Sequence, residues 1–260
     1  MRTLKRIPDG IMLGDKQGRT IDIIHAGDKI ILNIPEDETA PIPIEYPLDV
    51  VYEDEDLLII NKPPMLAMHE SHNHQGDTLA NAVSYYLTSK GKSASFRAVG
   101  RLDKGTSGLV VCALNAHCAA RLSGKVKKQY LAIAQGCYEK EGIIEKPIYR
   151  PDPIKTYRTA DDRGDYALTM YQPVETGAAY TLLRVDLATG RTHQIRVHFA
   201  YLGTPLYGDT MYGKPDEMLC HQALHCERLT FTHPISGEEI TLRADMPEDM
   251  KALLEVLRKK

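Results

Sequence analysis

The sequence has no run of about 18 apolar residues, so it offers no candidate for a membrane-spanning helix. Its first residues, MRTLKRIPDGIML, lack the long apolar stretch ending in small residues that marks a secretory signal. Cysteine is sparse and odd in number. Of Cys112, Cys118, Cys137, Cys220 and Cys226, three sit in apolar or helical runs, which argues against a disulfide framework and fits a reducing compartment. A soluble, cytoplasmic protein is expected. Excess positive charge is lacking too: the formal net charge is −3, against a uniformly basic nucleic-acid-binding surface. There is no Walker A sequence and no GxGxxG, so neither phosphate-binding fingerprint is present. No internal repeat and no extended low-complexity segment stands out.

What is there suits a folded enzyme. A hydrophobic fraction of 43% over 260 residues can fill the core of one large domain, alone or with a small appendage. Binding depends on the local field rather than the sum of charges, and the basic residues do cluster. Lys125, Lys127 and Lys128 form one group, Arg150, Lys155 and Arg158 another, Arg191 and Arg196 a third, while much of the acid lies in Glu36–Glu38 and Glu53–Asp56. Each cluster taken singly also reads as a solvated face.

Residues 1–47 differ from the rest. Ile21–Ile24 and Ile30–Leu32 read as short strands around a Gly27-Asp28 turn, and the acidic, proline-rich stretch from Pro35 to Pro43 reads as a linker. From about Leu48 the pattern mixes strand and helix. Strands are expected at Asp49–Tyr52, Leu57–Asn61, Leu109–Leu114, Tyr130–Ala134, Tyr180–Leu187, Leu224–Phe231 and Glu239–Leu242. Helices are expected at Asp77–Thr88, Ala116–Leu122, Thr192–Leu202 and Pro247–Leu257. In the third, Thr192 is the expected cap, Ile195, Phe199 and Leu202 the apolar stripe, and Gly203 the stop. Strands and helices do not alternate strictly, so a doubly wound parallel sheet is not expected.

The most informative stretch is Gly100-Arg-Leu-Asp-Lys-Gly-Thr-Ser-Gly-Leu-Val-Val. It places Asp103 in a loop held by Gly105 and Gly108, just ahead of a buried strand, with Arg101 and Lys104 beside it. Two readings follow from the residues alone. Asp103 caps its own turn, or it is an ionised carboxylate presented by a rigid sheet to a cleft, able to act as nucleophile or base without a metal.

Arg101-Leu-Asp-Lys-Gly-Thr-Ser-Gly is similar to the signature of the RluA family of pseudouridine synthases. Asn61-Lys-Pro-Pro resembles the family's first motif, Lys128-Gln-Tyr-Leu-Ala its tyrosine motif, and Thr189-Gly-Arg-Thr-His-Gln-Ile-Arg-Val-His its third. Tyr207-Gly-Asp and Leu224-His…Leu229-Thr-Phe…His233-Pro follow in order, so the resemblance covers about residues 48–245. It implies an α+β pseudouridine synthase fold with a central mixed, mainly antiparallel sheet flanked by helices. The implied activity is isomerisation of uridine to pseudouridine in ribosomal or transfer RNA by a monomer, without cofactor or metal.

The same resemblance implies roles. Asp103 is the catalytic carboxylate, Tyr130 stacks on the flipped base, Ile195 shapes the pocket, and Arg196 pairs with Asp103. Arg101 holds the RNA or fills the gap that the base leaves. The chemistry fits such a set. Uracil must be detached at N1, turned and rejoined to the sugar through C5, so the base must be extruded into a pocket and received by an aromatic side chain. Asp103 can attack C1′ of ribose, take the 2′ proton, or attack C6 of uracil, and these routes stay open. On the residues alone, Tyr130 and Ile195 are equally core residues and Arg196 a surface ion pair.

Two departures from the family pattern are visible. Gly100 stands where the family often has histidine, and Met65-Leu-Ala-Met-His-Glu-Ser is looser than the usual continuation of the first motif. Asp9-Gly-Ile-Met-Leu and Ala26-Gly-Asp-Lys-Ile-Ile-Leu-Asn-Ile-Pro resemble the second half of an S4-like RNA-binding domain, without its first helix. The domain plan is thus 1–47, a partial S4-like segment and linker, and 48–260, the catalytic domain. Cys220-His221…His225-Cys226 invites a zinc reading, but the spacing fits no common finger. His69, His72 and His74 read as solvated loop histidines. A non-catalytic RNA binder with this fold, a hydrolase built on Asp161-Asp162 and a zinc hydrolase are the competing functions.

Overall fold

The computed structural model describes residues 8–19, 21–33, 41–71, 75–93 and 96–259. The chain divides into two compact units, Met1–Ala40 and Pro41–Lys260. The acidic stretch through residue 40, and His72 and His74, lie outside the described residues.

In the first unit, β1 (Ile11–Leu13) pairs antiparallel with both β2 (Lys16–Gln17) and β3 (Ile30–Leu32). The strand expected at Ile21–Ile24 is absent; the segment begins in a turn and continues irregularly. Asp22 explains this. Its carboxylate accepts the Arg19 backbone N–H at 2.7 Å, and its own N–H donates to the Arg19 carbonyl at 3.0 Å, which ties the chain into a local turn that competes with a ladder.

The second unit is built on a ten-stranded sheet. Its strands are β4 (Val50–Glu53), β5 (Leu57–Lys62), β6 (Arg97–Val99), β7 (Ser107–Ala113), β8 (Lys127–Gln135), β9 (Gly142–Glu145), β12 (Leu168–Thr176), β13 (Tyr180–Leu187), β14 (Leu224–Thr232) and β15 (Glu239–Arg243). A two-stranded ribbon, β10 (Ile148–Tyr149) and β11 (Thr159–Ala160), lies between β9 and β12 in sequence. The helices are α1 (Leu79–Ser89), α2 (Ala116–Leu122), α3 (Gln194–Tyr201) and α4 (Glu248–Leu257). The spatial order is β4-β5-β7-β14-β8-β13-β12-β9, with β15 also on β14 and β6 also on β7. Every pairing is antiparallel except β7 with β14, so the sheet is mixed and mainly antiparallel.

The central strands explain why their sequences run apolar without alternation. All seven residues of β7 are buried and β5 is nearly so, because both faces of the sheet are covered there. Gly108 permits the parallel pair: it sits at φ +106°, and a Cβ there would collide with the Cys226 backbone. α1 starts at a capping box made by Thr78 and Asn81. Asn81 Nδ2 and Ser84 Oγ also donate to the carbonyls of Ile42 and Pro41, at 2.9 and 2.7 Å. β6, β9 and β12 were not anticipated. β12 holds Pro173 at a register shift, and a proline inside an alternating run speaks against a strand in sequence.

α3 departs from its expected form. Its first residue beyond the cap is Gln194, and the cap is His193, not Thr192. Leu202 is exposed, so the expected stripe is wrong at its end. Gln194 to Phe199 are buried consecutively, because the helix is enclosed rather than laid on a surface. Its polar members are satisfied: His198 Nδ1 meets Thr169 Oγ1 at 2.8 Å and its Nε2 donates to the Lys146 carbonyl at 2.9 Å.

Candidate active site

The loop from Gly100 to Thr106 leaves β6 and enters β7 with three anchors. The buried Lys62 ammonium donates to the carbonyls of Pro63 (2.8 Å), Leu66 (3.0 Å) and Lys104 (3.1 Å). Three acceptors match the three N–H groups of the charged form. Burial pushes this group down to about 7 while Asp103 pulls the other way. From another side Gln222 Nε2 donates to Thr106 Oγ1 at 2.9 Å, and a Cβ on Gly105 would collide with the Gln222 amide. Ser107 Oγ meets His225 Nδ1 at 2.9 Å; His225 Nε2 donates to the Ala244 carbonyl at 3.1 Å, so Nδ1 is the acceptor in the neutral ring.

Asp103 stands on this loop with a quarter of its side chain exposed. Arg196 Nη1 donates to its Oδ2 at 3.0 Å, and among the described residues Oδ1 has no hydrogen-bond partner. The rest of the guanidinium is taken by Asp209, through Nε to Oδ2 at 2.7 Å and Nη2 to Oδ1 at 2.9 Å. Asp209 is fully buried and also accepts the backbone N–H groups of Met211 and Tyr212. Burial works against the Arg196 charge, but the Asp209 hydrogen bonds and the charges of Asp209 and Asp103 outweigh it and hold the guanidinium above its ordinary range. The Tyr212 ring lies 5.0 Å from that guanidinium.

His193 faces the same carboxylate, with Nε2 3.8 Å from Asp103 Oδ2. Its φ of 59° is in the left-handed region, a strained place for a residue with a Cβ. Gln194 holds that turn: its Oε1 accepts from Arg191 N–H at 3.0 Å and Thr189 Oγ1 at 2.8 Å, and its Nε2 donates to the Leu168 carbonyl at 3.0 Å. The far side of the ring is fixed by Tyr212, whose hydroxyl lies 2.9 Å from Nδ1 and accepts the Arg158 backbone N–H at 3.0 Å. Burial pushes the Tyr212 hydroxyl up to about 12, so it keeps its proton, and His193 Nδ1 is the acceptor in reach. The ring's own proton then sits on Nε2, toward Asp103. Burial also lowers His193 from its ordinary range, against the pull of Asp103.

These groups close around a cavity of about 100 Å³ lined by Asp103, Tyr130, His193, Ile195 and Arg196. Arg101 and Tyr130 also line a larger cleft of about 850 Å³, with Lys125, Lys127 and Lys128 along it. Tyr130 sits mid-sheet, opposite Val185 and Cys226 on the neighbouring strands, and is 6% exposed. Burial raises its hydroxyl well above the ordinary range. Ile195 is buried in the wall, and Arg101 is exposed at the rim. All five residues singled out in the sequence thus meet at one place.

Comparison with known proteins accords with this geometry. Residues 56–201 match the family described as RNA pseudouridylate synthase. A Bacillus subtilis protein, the uncharacterized RNA pseudouridine synthase YhcT, is 39% identical over 240 residues, covering 89% of this chain and 80% of that protein. The chain belongs to the RNA pseudouridylate synthase family. The ribosomal large subunit pseudouridine synthase D of Escherichia coli strain K12 is 36% identical over 252 residues, covering 89% of this chain and 77% of that one. Human RNA pseudouridylate synthase domain containing 4 has a like fold at 22% identity, with a TM-score of 0.65 over 80% of this chain and 92% of that one. The synthase reading made from the motifs therefore stands, as does the α+β class.

The other chemistry weighed in the sequence finds no footing at this synthase site. Asp161 is chelated by Arg163 and Asp162 meets Lys146, and neither lines the Asp103 cavity. His221 and His225 spend both ring nitrogens on hydrogen bonds. The described residues with metal-ligand spacing are Asp54, Asp56 and His233 instead, where Asp54 is already bound by Tyr52, His233 and two backbone N–H groups. Sequence reasoning missed His193, Asp209, Tyr212 and Lys62 as individuals, although each lies in or beside a quoted motif. No local pattern distinguishes them, because each acts on a partner remote in sequence.

Proposed function

We propose that this RNA pseudouridine synthase works through Asp103, on a uridine flipped against Tyr130. The observation that carries the reading is the division of Asp103's two oxygens. Oδ2 is held by Arg196, Oδ1 has no protein partner among the described residues, and Asp103 lines a cavity together with Tyr130 and Ile195. A carboxylate fixed at one oxygen and open at the other is ready to attack or to take a proton without reorganisation. Arg196 keeps it charged, and Asp209 keeps Arg196 in place. His193 directs Nε2–H at Oδ2 and is a positioning residue: closure of the site over RNA shortens the 3.8 Å gap to a hydrogen bond. Arg101, at the rim, holds the RNA or takes the place of the departed base.

The substrate is structured ribosomal or transfer RNA, and the relatives named for the ribosomal large subunit favour the first. The synthase acts as a cytoplasmic monomer without a cofactor. Residues 1–47 are a partial S4-like segment and linker, and 48–260 are the catalytic domain. The test is tritium release from RNA labelled at C5 of uracil, because C5 loses its hydrogen only when the new carbon–carbon bond to the sugar forms. Wild type is expected to release tritium from mixed ribosomal and transfer RNA without added metal, and Asp103→Asn is not. Release by both would remove Asp103 from the reaction.

A further inference from the structure

Beside the catalytic cavity lies a second one of about 410 Å³, at the β10–β11 ribbon, whose walls include Arg150, Arg158, Arg163 and Arg191. Four guanidiniums at one hollow are costly unless something balances them. Arg163 is balanced: Asp161 chelates it at 2.9 and 2.7 Å, and it lies 4.5 Å from the Tyr149 ring. Arg191 donates Nε to the Tyr166 carbonyl at 3.0 Å, and its one ion pair among the described residues is with exposed Asp165 of the same wall, at 3.9 Å. Arg150 and Arg158 make no ion pair among the described residues.

Neutral carbonyls hold these two in place instead. Arg150 Nε donates to the Lys155 carbonyl at 3.0 Å. Arg158 Nη1 donates to the carbonyls of Thr156 (2.7 Å) and Tyr157 (3.0 Å). Their positions are thereby fixed while their charge stays whole, and among the described residues both terminal nitrogens of Arg150 and the Nε and Nη2 of Arg158 have no partner. Burial lowers Arg158 from its ordinary range, and the nearness of Arg150 and Arg101 adds to this. Arg191 and Gly190 line this cavity and the Asp103 cavity alike, two and three residues before His193.

We propose that this arginine cavity binds backbone phosphodiesters of the RNA strand that flanks the flipped uridine. Planar forks with free paired donors suit phosphate oxygens, which accept from two N–H groups at once. The shared wall fits one strand running from the base on Tyr130 to phosphates held by Arg150 and Arg158. The inference rests on the RNA-modifying reading of the Asp103 site, but its test measures binding, so either can fail alone.

The experiment is a salt series of binding to a fluorescent oligouridylate, with wild type, Arg150→Gln, the Arg150→Gln/Arg158→Gln double variant, and Lys251→Gln on α4 as control. For every phosphate that a variant no longer neutralises, the slope of log K against log salt falls by about 0.7 on a single strand. The slope is expected to fall by about that amount in Arg150→Gln, which removes one exposed side chain, and by about twice that in the double variant. Lys251→Gln keeps the wild-type slope. In turnover, KM rises about tenfold in the double variant while kcat stays within about twofold, since the chemical step is untouched. Equal slopes for wild type and both arginine variants would overturn the proposal, as would failure of wild type to bind the oligouridylate at low salt. Inorganic pyrophosphate forms a further arm. Its displacing the RNA far more effectively than chloride of equal ionic strength would make the cavity a small-anion site and also overturn it.

Discussion

Arg196 holds two carboxylates that could hardly be treated more differently. Asp209 is fully buried, and its two oxygens together take up Nε and Nη2 of the guanidinium and two backbone N–H groups. Among the described residues, Asp103 receives one side-chain hydrogen bond, on Oδ2, and none on Oδ1, and its side chain is a quarter exposed. The saturated carboxylate is spent on structure, and the unsaturated one beside a cavity is the one proposed to react. The contrast repeats at larger scale. Among the described residues every buried side-chain nitrogen and oxygen has a partner, while at the ribbon Arg150 and Arg158 keep side-chain donors unspent. The floor of the site is closed within the protein, and its rim carries the unspent donors.

Exchanging the two carboxylates for amides should separate them most widely. Asp103→Asn is expected to lower the rate by about four orders of magnitude while leaving the fold intact. Asp209→Asn breaks a buried pair and is expected to cost about 3 kcal/mol of stability, seen as a lower urea midpoint, with a rate loss of only about ten- to a hundredfold. Lys62→Met comes next. It strands the carbonyls of Pro63, Leu66 and Lys104 and should destabilise by about 3 kcal/mol, at about 1 kcal/mol or more for each. Retention of the wild-type midpoint would show that water replaces the ammonium and that the loop needs no such anchor.

A smaller effect is expected at His193. His193→Phe should lower kcat about tenfold, whereas His193→Gln, which places an amide N–H where Nε2–H stood, should restore most of it. Tyr212→Phe removes the proton that sets the His193 tautomer and should lower kcat several-fold in the wild-type background, yet have no effect in His193→Gln. Additive losses in that cycle would make Tyr212 a packing residue. The smallest effect is on stability against pH. Burial holds His198 and His225 below their ordinary 6.5 in the folded chain. The unfolded chain therefore takes up more protons as pH falls through 6.5, and stability drops until the lowered folded values are passed. A flat urea midpoint from pH 7 to pH 5 would contradict this.

Much of the site was legible in the sequence because its motifs are local. Asp103 and Arg101 share one loop, Tyr130 lies on a readable strand, and Ile195 and Arg196 lie on a readable helix. What was not legible depends on contacts that only the sheet creates. β7 and β14 lie far apart in the chain, and their parallel pairing brings Ser107 to His225. His193 reads as one residue of a motif, and only its left-handed turn, held by Gln194, aims the ring at Asp103. α3 was expected to be amphipathic, but an enclosed helix with paired polar residues carries no clean stripe. The arginine clusters were visible as charge. Which of them stay unpaired was set by where Asp161 and Asp165 fall, and spacing alone does not say that.

The most direct measurement is the single-turnover rate of tritium release from C5, compared for wild type, Asp103→Asn and Asp209→Asn at saturating enzyme. No release is expected from Asp103→Asn with RNA still bound, and slowed but measurable release from Asp209→Asn. Release from Asp103→Asn at a rate near wild type, with Asp209→Asn inactive though folded, would contradict it and move the reacting carboxylate to the buried partner.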